Sequence, residues 1–296
     1  MVSNSEIRTF KLLPATISEL SKELNVYPGS ASKITEKLIK NGLAKKQRRG
    51  KHVIINKEQT MHAQKLEEII KTFPRLPLEQ ILTHSNLTLI SLLNYSLNAE
   101  ELRDIIGVTR QWIYKTIKQL SLYGIILKNT DGYTINPIHQ HLQEFARYYY
   151  EYKNYQYLTK LTDDALIVWQ HGNEFLFKTK KEINTYHITA VTAFSQYNLP
   201  LLSDSKYYFY STRTFGTADI ILHTILINPQ SKTYNTYACL LYEQTKPSNI
   251  VKKARLYNLT NHIRVLLSYM KSRETNEDFL PTWEEYVSIA EQYGVR

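Results

Sequence analysis

The chain has 296 residues, of which 43% are hydrophobic and 22% are charged, and its formal net charge is +10. This length and composition indicate a globular protein of two or three domains that can bury a sizeable core. The single cysteine, Cys239, excludes an intrachain disulfide and a cysteine-cluster metal site, and no long apolar run or N-terminal signal segment is present, so we expect a cytoplasmic protein.

The positive charge is concentrated at the start of the chain. Residues 1–57 contain 12 Lys or Arg and 4 Asp or Glu, which gives this segment a net charge of +8. Residues 58–140 contain 8 of each sign, and residues 141–296 contain 17 basic and 15 acidic residues. A concentrated positive field attracts polyanions such as DNA. The distribution therefore favours a nucleic acid as the partner of the first segment.

A segment near the N-terminus recurs 82 residues later in the chain. Residues 16–56, the first copy, and residues 98–136, the second copy, match without a gap through their central part. Both copies begin with a polar residue and, three positions later, a glutamate, as in a capping box: Thr16 and Glu19, then Asn98 and Glu101. The apolar spacing that follows predicts a short helix, a turn and a longer helix in each copy.

Glycine residues and short β-like runs predict how each copy ends. Gly42 and Gly124 are placed to end the longer helices in the left-handed conformation. A hairpin follows in each copy, with its tip at Arg48–Lys51 or at Asn129–Gly132. Both hairpins finish in the same dipeptide, at Ile55-Asn56 and Ile135-Asn136.

The order of helix, turn, longer helix and hairpin is that of a winged helix-turn-helix. The sequence resembles that superfamily, most closely the MarR-like transcriptional regulators of archaea and bacteria. The run SKITEKLIKNGLAKKQRRGKHVIIN carries most of the resemblance, which covers about residues 5–57 and 85–137. The resemblance implies that the longer helix lies in the major groove of DNA and that the hairpin touches the backbone or the minor groove.

The first copy presents small polar and basic side chains at the start of its longer helix and along its hairpin. The candidate DNA contacts here are Ser30, Ser32, Lys33, Lys37, Lys45, Lys46, Arg48, Arg49 and Lys51. Arg and Lys neutralise phosphates or enter a narrow minor groove, whereas serines and a lysine read few base edges. We therefore expect strong salt dependence and modest sequence selectivity from this copy.

The second copy has a different set of exposed candidates. Arg110 and Gln111 are residue types that read base edges, and Tyr114, Lys115 and Lys118 could contact phosphates. Its hairpin carries one Lys and one Asp, so this copy is not expected to clamp DNA alone. It either reads DNA beside the first copy or makes dimer or partner contacts, and Trp112 and Tyr123 would then be the anchors.

The rest of the chain predicts a linker and a third domain. An amphipathic helix in residues 57–73 either fixes the spacing of the two copies or dimerises. A further helix, about His139–Tyr157, contains six tyrosines, which more often pack between domains than stack on single-stranded bases. A hairpin in residues 165–179, a strand at Lys206–Thr212 and several helices from Ala218 onward predict an α+β domain with strands first and helices last.

This third domain is loosely similar to the nucleotidyltransferase-like domain of AbiEi-type antitoxins and related archaeal winged-helix regulators. The runs TAVTAFSQYNLP, KYYFYST, ADIILHTILI and KKARLYNL carry the similarity. A working nucleotidyltransferase would show Gly-Ser followed by paired aspartates, whereas here no Gly-Ser occurs and Asp219 stands alone. The resemblance therefore implies a domain that senses or assembles and does not catalyse.

Two other classes of function stay open. A metal-dependent nuclease needs two acids and a lysine on adjoining strands, and Asp164, Glu174 and Lys178 lie on the predicted hairpin. The alternative interpretation is that these acidic and basic residues form a salt bridge on the protein surface. An antitoxin-like adaptor would instead bind a protein partner through the second copy or the third domain.

We predict an α+β protein with two winged helix-turn-helix domains, residues 1–57 and 81–138. A linker helix in residues 58–80 joins them, and an α+β effector or assembly domain, residues 139–296, follows and ends in helices. The predicted function is that of a double-stranded DNA-binding transcriptional regulator, not an enzyme, that forms a homodimer on paired half-sites. No metal, cofactor or membrane is expected among its partners.

Overall fold

The computed structural model describes residues 3–296, and over these residues the chain is a mixed α+β protein with small sheets. The chain divides into two compact units, a first unit that ends at Gln156 and a second unit from Tyr157 to Arg296. None of the helices in the described part of the chain combines the length and the apolar character that crossing a membrane requires.

The first unit is built mainly from helices, with two hairpins between them. Its elements in chain order are α1 (Asn4–Lys11), β1 (Ala15–Thr16), α2 (Ile17–Leu24), α3 (Pro28–Lys40), β2 (Ala44–Arg49), β3 (His52–Lys57), α4 (Met61–Thr72), α5 (Leu78–Ile81), α6 (His84–Leu92), α7 (Ala99–Ile106), α8 (Arg110–Leu122), β4 (Ile126–Asn129), β5 (Gly132–Ile135) and α9 (Gln140–Leu161). The last residues of α9 belong to the second unit.

The predicted repeat of two helices and a hairpin is confirmed in secondary structure. Helix α7 begins and ends 82 residues after α2, and α8 begins and ends 82 residues after α3. Both capping boxes form, because each N-cap side chain accepts from the backbone of its glutamate and each glutamate accepts from the N-cap backbone. Gly42 and Gly124 are left-handed, with φ of 69° and 68°.

A short edge pairing ties each hairpin to the segment that precedes its helix pair. In the first copy, β1 pairs antiparallel with β3, with Ala15 opposite Ile55. In the second copy, Leu97 and Tyr133 form an isolated bridge in which each backbone N–H donates to the other carbonyl, at 3.1 and 2.8 Å. Leu97 lies 82 residues after Ala15, so the pairing repeats with the helices.

The two hairpins differ in length, although both end in the sequence Ile-Asn. In the first hairpin, β2 and β3 form six residue pairs, from Ala44 opposite Lys57 at the base to Arg49 opposite His52 at the tip. In the second hairpin, β4 and β5 form four pairs. The backbone N–H of Glu58 donates to Leu43 at 2.9 Å, and that of Asn136 donates to Ile125 at 2.8 Å. The residue equivalent to Glu58 is therefore Asn136, 78 positions later, and the two Ile-Asn pairs stand at different points of the repeat.

A series of buried polar contacts joins three helices of the first unit. The amide of Asn41, at the end of α3, donates to the carboxylate of Glu6 in α1 at 3.2 Å. His62 of α4 lies against the carbonyl of Asn41, with 2.8 Å between Nε2 and the oxygen. Burial raises the pKa of Glu6 and lowers that of His62, because it disfavours the charged form of each group. The predicted linker helix, observed as α4, is thus packed into the unit.

The second unit is a four-stranded antiparallel sheet followed by helices, and this confirms the predicted order. Its elements are β6 (Leu166–His171), β7 (Glu174–Thr179), β8 (His187–Ile188), a 3-10 helix (Ala190–Tyr197), β9 (Lys206–Tyr210), α10 (Thr217–Ile227), α11 (Lys232–Thr245), α12 (Ile250–Leu256), α13 (Thr260–Ser272) and α14 (Trp283–Gln292). The strand order is β6-β7-β9-β8. Phe175, Phe177 and Tyr208 are buried on this sheet, and α10 is buried from Ala218 to Leu226.

Gly42→Ala and Gly124→Ala form a matched pair that tests the packing around the repeat. Each alanine is strained by the left-handed backbone, at a cost of about 1 kcal/mol. A β-carbon at Gly42 would also lie 2.5 Å from Cζ of Tyr152, whereas one at Gly124 meets no atom within 4 Å. Gly42→Ala should therefore lower the free energy of urea unfolding by about 1 kcal/mol more than Gly124→Ala. Equal losses would contradict this packing.

Candidate nucleic-acid interface

Helix α3 presents one polar and basic face to solvent. Asn25 ends α2 in the left-handed conformation, and Tyr27, in an extended conformation, precedes Pro28 at the first helical position, where a missing N–H costs nothing. Ala31, Thr35 and Leu38 are buried, which fixes the rotation of the helix. The predicted contacts Ser30, Lys33 and Lys37 are consequently exposed, and Ser32 is half-buried.

The first hairpin carries its predicted basic contacts on β2, a largely exposed strand, and on the tip that follows it. Only Ala44 is buried in β2, and Lys46, Arg48 and Arg49 are all exposed. The tip turns at Gly50, whose φ of 60° suits glycine, and places Lys51 in solvent. The guanidinium Nε of Arg48 donates to the carbonyl of Gly50 at 3.3 Å, which holds that side chain over the tip.

The basic side chains of this surface are not neutralised by carboxylates, with one exception. Within residues 3–296, no Asp or Glu lies at ion-pair distance from the predicted contacts Lys33, Lys37, Lys46, Arg48, Arg49 and Lys51. Lys45 differs, because its Nζ lies 3.0 Å from the carboxylate of Glu58. The charge of Lys45 is therefore shared within the protein, whereas the other six cations face solvent unpaired with acids.

The additional length of the first hairpin coincides with its charge. The two residue pairs that the second hairpin lacks are Arg48–Val53 and Arg49–His52, and Lys51 lies in the turn beyond them. Two further pairs extend a hairpin by about 7 Å, at 3.3 Å per residue. The first hairpin thus carries three basic side chains on an extension that has no counterpart in the second copy.

The second copy holds its predicted contacts on the start of α8. Thr109 caps the helix by accepting from the backbone N–H of Trp112, and Arg110 and Gln111 follow in exposed positions. The guanidinium of Arg110 donates to the hydroxyl of Tyr114 at 3.2 Å and lies 5.5 Å from the centre of its ring. Lys115 and Lys118 are exposed on the same helix.

The aromatic side chains that sequence reasoning proposed as anchors are partly engaged within the first unit. Trp112 and Tyr123 are both half-buried, and the hydroxyl of Tyr123 donates to the amide oxygen of Gln80 at 2.8 Å. Of the six tyrosines of α9, Tyr149 and Tyr150 are buried, and Tyr150 is hydrogen-bonded to Thr88 at 2.5 Å, whereas Tyr155 and Tyr157 are exposed. These contacts follow the predicted packing role.

The structure does not bring the nuclease candidates together. Asp164 accepts from the hydroxyls of Thr162 and Thr179 and from the backbone of Lys180, beside the last residue of β7. Glu174 is at the other end of β7, five residues away, which is about 16 Å in an extended strand. No group of three or more His, Cys, Asp or Glu in the described part of the chain is arranged to hold a metal ion.

Glu174 belongs instead to a buried charge network that sequence reasoning missed. Arg213, in the loop between β9 and α10, has its Nε 2.8 Å from Glu174 and its Nη1 3.1 Å from Asp219. Lys253 of α12 lies 3.3 Å from the other oxygen of Asp219. Side chains of Glu174, Arg213 and Asp219 are each less than a tenth exposed. Asp219, alone in the sequence pattern, is therefore paired with two cations in the fold.

Two further side chains complete this network and fix a histidine tautomer. The hydroxyl of Tyr257 accepts from Arg213 at 2.6 Å and donates its one proton to Asp219 at 2.8 Å. Nε2 of His223 lies 2.8 Å from the same hydroxyl and must donate, so Nδ1 accepts from Thr189 at 2.7 Å. Burial lowers the pKa of His223 to about 3, so the ring is neutral.

The carboxylates of the network respond differently to the same burial. Burial raises the pKa of Glu174 above its ordinary value, and this outweighs the attraction of Arg213. Burial also opposes ionisation of Asp219, but the charges of Arg213 and Lys253 outweigh it and lower the pKa of Asp219. The network ties β7, the loop before α10, α10 itself and the end of α12 into one polar core of the second unit.

Comparison with known proteins reaches only the second unit. The family model described as HVO_2833_C, C-terminal, matches residues 183–295, which is less than half of the chain. The matched segment is similar to that family and contains Arg213, Asp219, His223 and Tyr257, whereas Glu174 precedes it. No curated protein and no solved structure matches the chain.

Replacing His223 with Gln should flatten the pH dependence of stability. The folded imidazole stays neutral down to pH about 3, whereas the unfolded one takes up a proton as the pH falls below its ordinary pKa of 6.5. The contribution of His223 is thus fully present above pH 6.5 and is lost as the pH falls towards 3. Between pH 6 and 4, wild-type protein should lose about 2 kcal/mol more unfolding free energy than His223→Gln. Identical pH profiles in urea unfolding would refute the neutral, buried histidine.

Proposed function

We propose that the chain is a double-stranded DNA-binding transcriptional regulator in which each copy is a winged helix-turn-helix. The support is the repeated order of capped helix, left-handed turn, longer helix and hairpin at a spacing of 82 residues. In such modules the longer helix enters the major groove and the hairpin contacts the flanking backbone. Here these roles fall to α3 with the first hairpin, and to α8 with the second hairpin.

The first copy supplies affinity, and one observation carries this assignment. The extension of the first hairpin bears Arg48, Arg49 and Lys51, exposed and without carboxylate partners, and α3 adds the exposed Lys33 and Lys37. Unpaired cations on one surface release counterions from DNA when they meet phosphates. Lys45 contributes less than the others, because Glu58 already pairs with it.

The second copy supplies selectivity. Arg110 and Gln111 are exposed at the start of α8, where a recognition helix meets base edges. Contact with Tyr114 restricts the guanidinium of Arg110 before DNA arrives, which lowers the entropy lost on binding. The second hairpin is short and adds only Lys128 and Asp131, so phosphate binding by this copy rests on Lys115 and Lys118.

The remaining features of the proposal concern assembly. Winged-helix regulators meet paired half-sites as two-fold dimers, so the chain acts as a homodimer in the cytoplasm. The second unit serves as an effector or assembly domain of the AbiEi-like type. Its strands-then-helices order supports this assignment.

The triple substitution Arg48→Ala, Arg49→Ala and Lys51→Ala tests the first copy. It should weaken duplex binding broadly and reduce the slope of log affinity against log salt by about 2–3, because each lost phosphate contact removes about 0.9. Sequence preference should persist, since Arg110 and Gln111 are unchanged. Fluorescence anisotropy of labelled duplexes at several salt concentrations measures both quantities.

A charge-matched control separates contact from net charge. Lys160, Lys252 and Lys271 are exposed, and replacing them with Ala removes three positive charges from the second unit. This control should change the slope of log affinity against log salt by much less than the triple substitution in the hairpin does. An unchanged slope in the hairpin variant, or an equal change in the control, would refute the assignment.

A further inference from the structure

The second copy exposes three aliphatic side chains, at the end of α8 and on the hairpin and turn that follow it. Leu122, the last residue of α8, is 79% exposed, Leu127 of β4 is 43% exposed, and Ile138 after β5 is 68% exposed. The amide of Asn136 donates to the carbonyl of Gly124, and the backbone N–H of Ile138 donates to the side chain of Asn136. These bonds hold Ile138 beside the end of α8. We name these three aliphatic residues the Leu122 patch.

The equivalent surface of the first copy shows how such a place is covered. By the repeat offsets of 82 for the helices and 78 after the hairpin, Leu122, Leu127 and Ile138 correspond to Lys40, Lys45 and Thr60. Those three line one cleft of about 440 Å³, together with Gly42, Glu58 and Tyr152. The ring of Tyr152, from α9, packs on Gly42 there.

The two copies therefore differ at this place in both chemistry and cover. In the first copy the three equivalent residues are polar, with Lys45 paired to Glu58, and an aromatic side chain of the same unit closes over the glycine. In the second copy the residues are aliphatic, and no atom lies within 4 Å of the position a β-carbon would take at Gly124. Exposed aliphatic side chains that lie together on a protein surface are typical of an interaction site, whereas single exposed ones are common everywhere.

We propose that the Leu122 patch is the self-association surface of the chain, covered by the same patch of a second copy. An aliphatic patch is complementary to itself, which is what a two-fold interface requires. The charge distribution agrees, because residues 58–140 are neutral and can approach their own copy without the repulsion that the +8 of residues 1–57 would cause. This surface specifies the homodimer of the proposed function.

The patch leaves the proposed base-reading residues free. Leu122 lies twelve residues after Arg110 along α8, which is about 18 Å at 1.5 Å per residue. Base-reading residues and the association surface therefore occupy opposite ends of one helix. In a dimer formed here, each protomer would present Arg110 and Gln111 on its own α8. Two such helices fit a DNA target made of paired half-sites.

The test is made on the full chain without DNA, so that its outcome is independent of DNA binding. Sedimentation velocity over a concentration series should show wild-type protein in monomer–dimer equilibrium. The double variant Leu122→Glu and Ile138→Glu should raise the dimer dissociation constant at least tenfold, with unchanged circular dichroism, because both side chains are largely exposed. Leu202→Glu, at a fully exposed position in the second unit, is the control and should leave the equilibrium unchanged.

Cysteine cross-linking tests the two-fold geometry independently. Leu127→Cys should form an intermolecular disulfide under mild oxidation, whereas Leu202→Cys should not, and the native Cys239 is buried. A wild-type chain that stays monomeric at every concentration would overturn the proposal, as would a dimer unaffected by the double variant. If the double variant is monomeric yet still binds a single half-site, the association surface is supported and DNA binding stands separately.

Discussion

Backbone pairing between the segment that enters each helix pair and the hairpin that leaves it closes both copies of the repeat. Ala15 pairs with Ile55 in the first copy, and Leu97 pairs with Tyr133 in the second. Because this pairing and the left-handed glycine fix the base of each hairpin, hairpin length alone sets how far its tip extends from the helices. The first hairpin is longer by two residue pairs, and those pairs and the tip carry its unpaired cations.

Under the proposed function, one repeated frame with different surfaces would let the first unit divide the work of binding between its two copies. The first copy combines an exposed basic helix face with an extended basic hairpin, which suits phosphates. The second copy combines Arg110 and Gln111 with a short, nearly neutral hairpin and an aliphatic patch at the far end of α8. Affinity, selectivity and self-association would then rest mainly on different residues of a single repeated fold.

Signals within a few residues predicted the helices and hairpins of the repeat. The features that the sequence did not predict depend on contacts between residues far apart in the chain. Capping boxes and glycines act within a few residues, so the helices of both copies were predictable. Helix α6 was missed because Asn86 to Leu92 are all buried, which removes the amphipathic period. The hairpin offset depends on edge pairing, and the network around Arg213 joins residues up to 44 positions apart. The basic contacts were predictable as exposed, but the pairing of Lys45 with Glu58 was not.

The most direct measurement is lysine footprinting of the full chain with and without duplex DNA, by acylation and mass spectrometry. Binding through the first copy should lower the acylation of Lys33, Lys37, Lys46 and Lys51, because DNA covers their amines. Lys252 and Lys271, exposed in the second unit, should react equally in both states and act as internal references. Unchanged reactivity of the four first-copy lysines on saturating DNA, or protection confined to the references, would contradict the account.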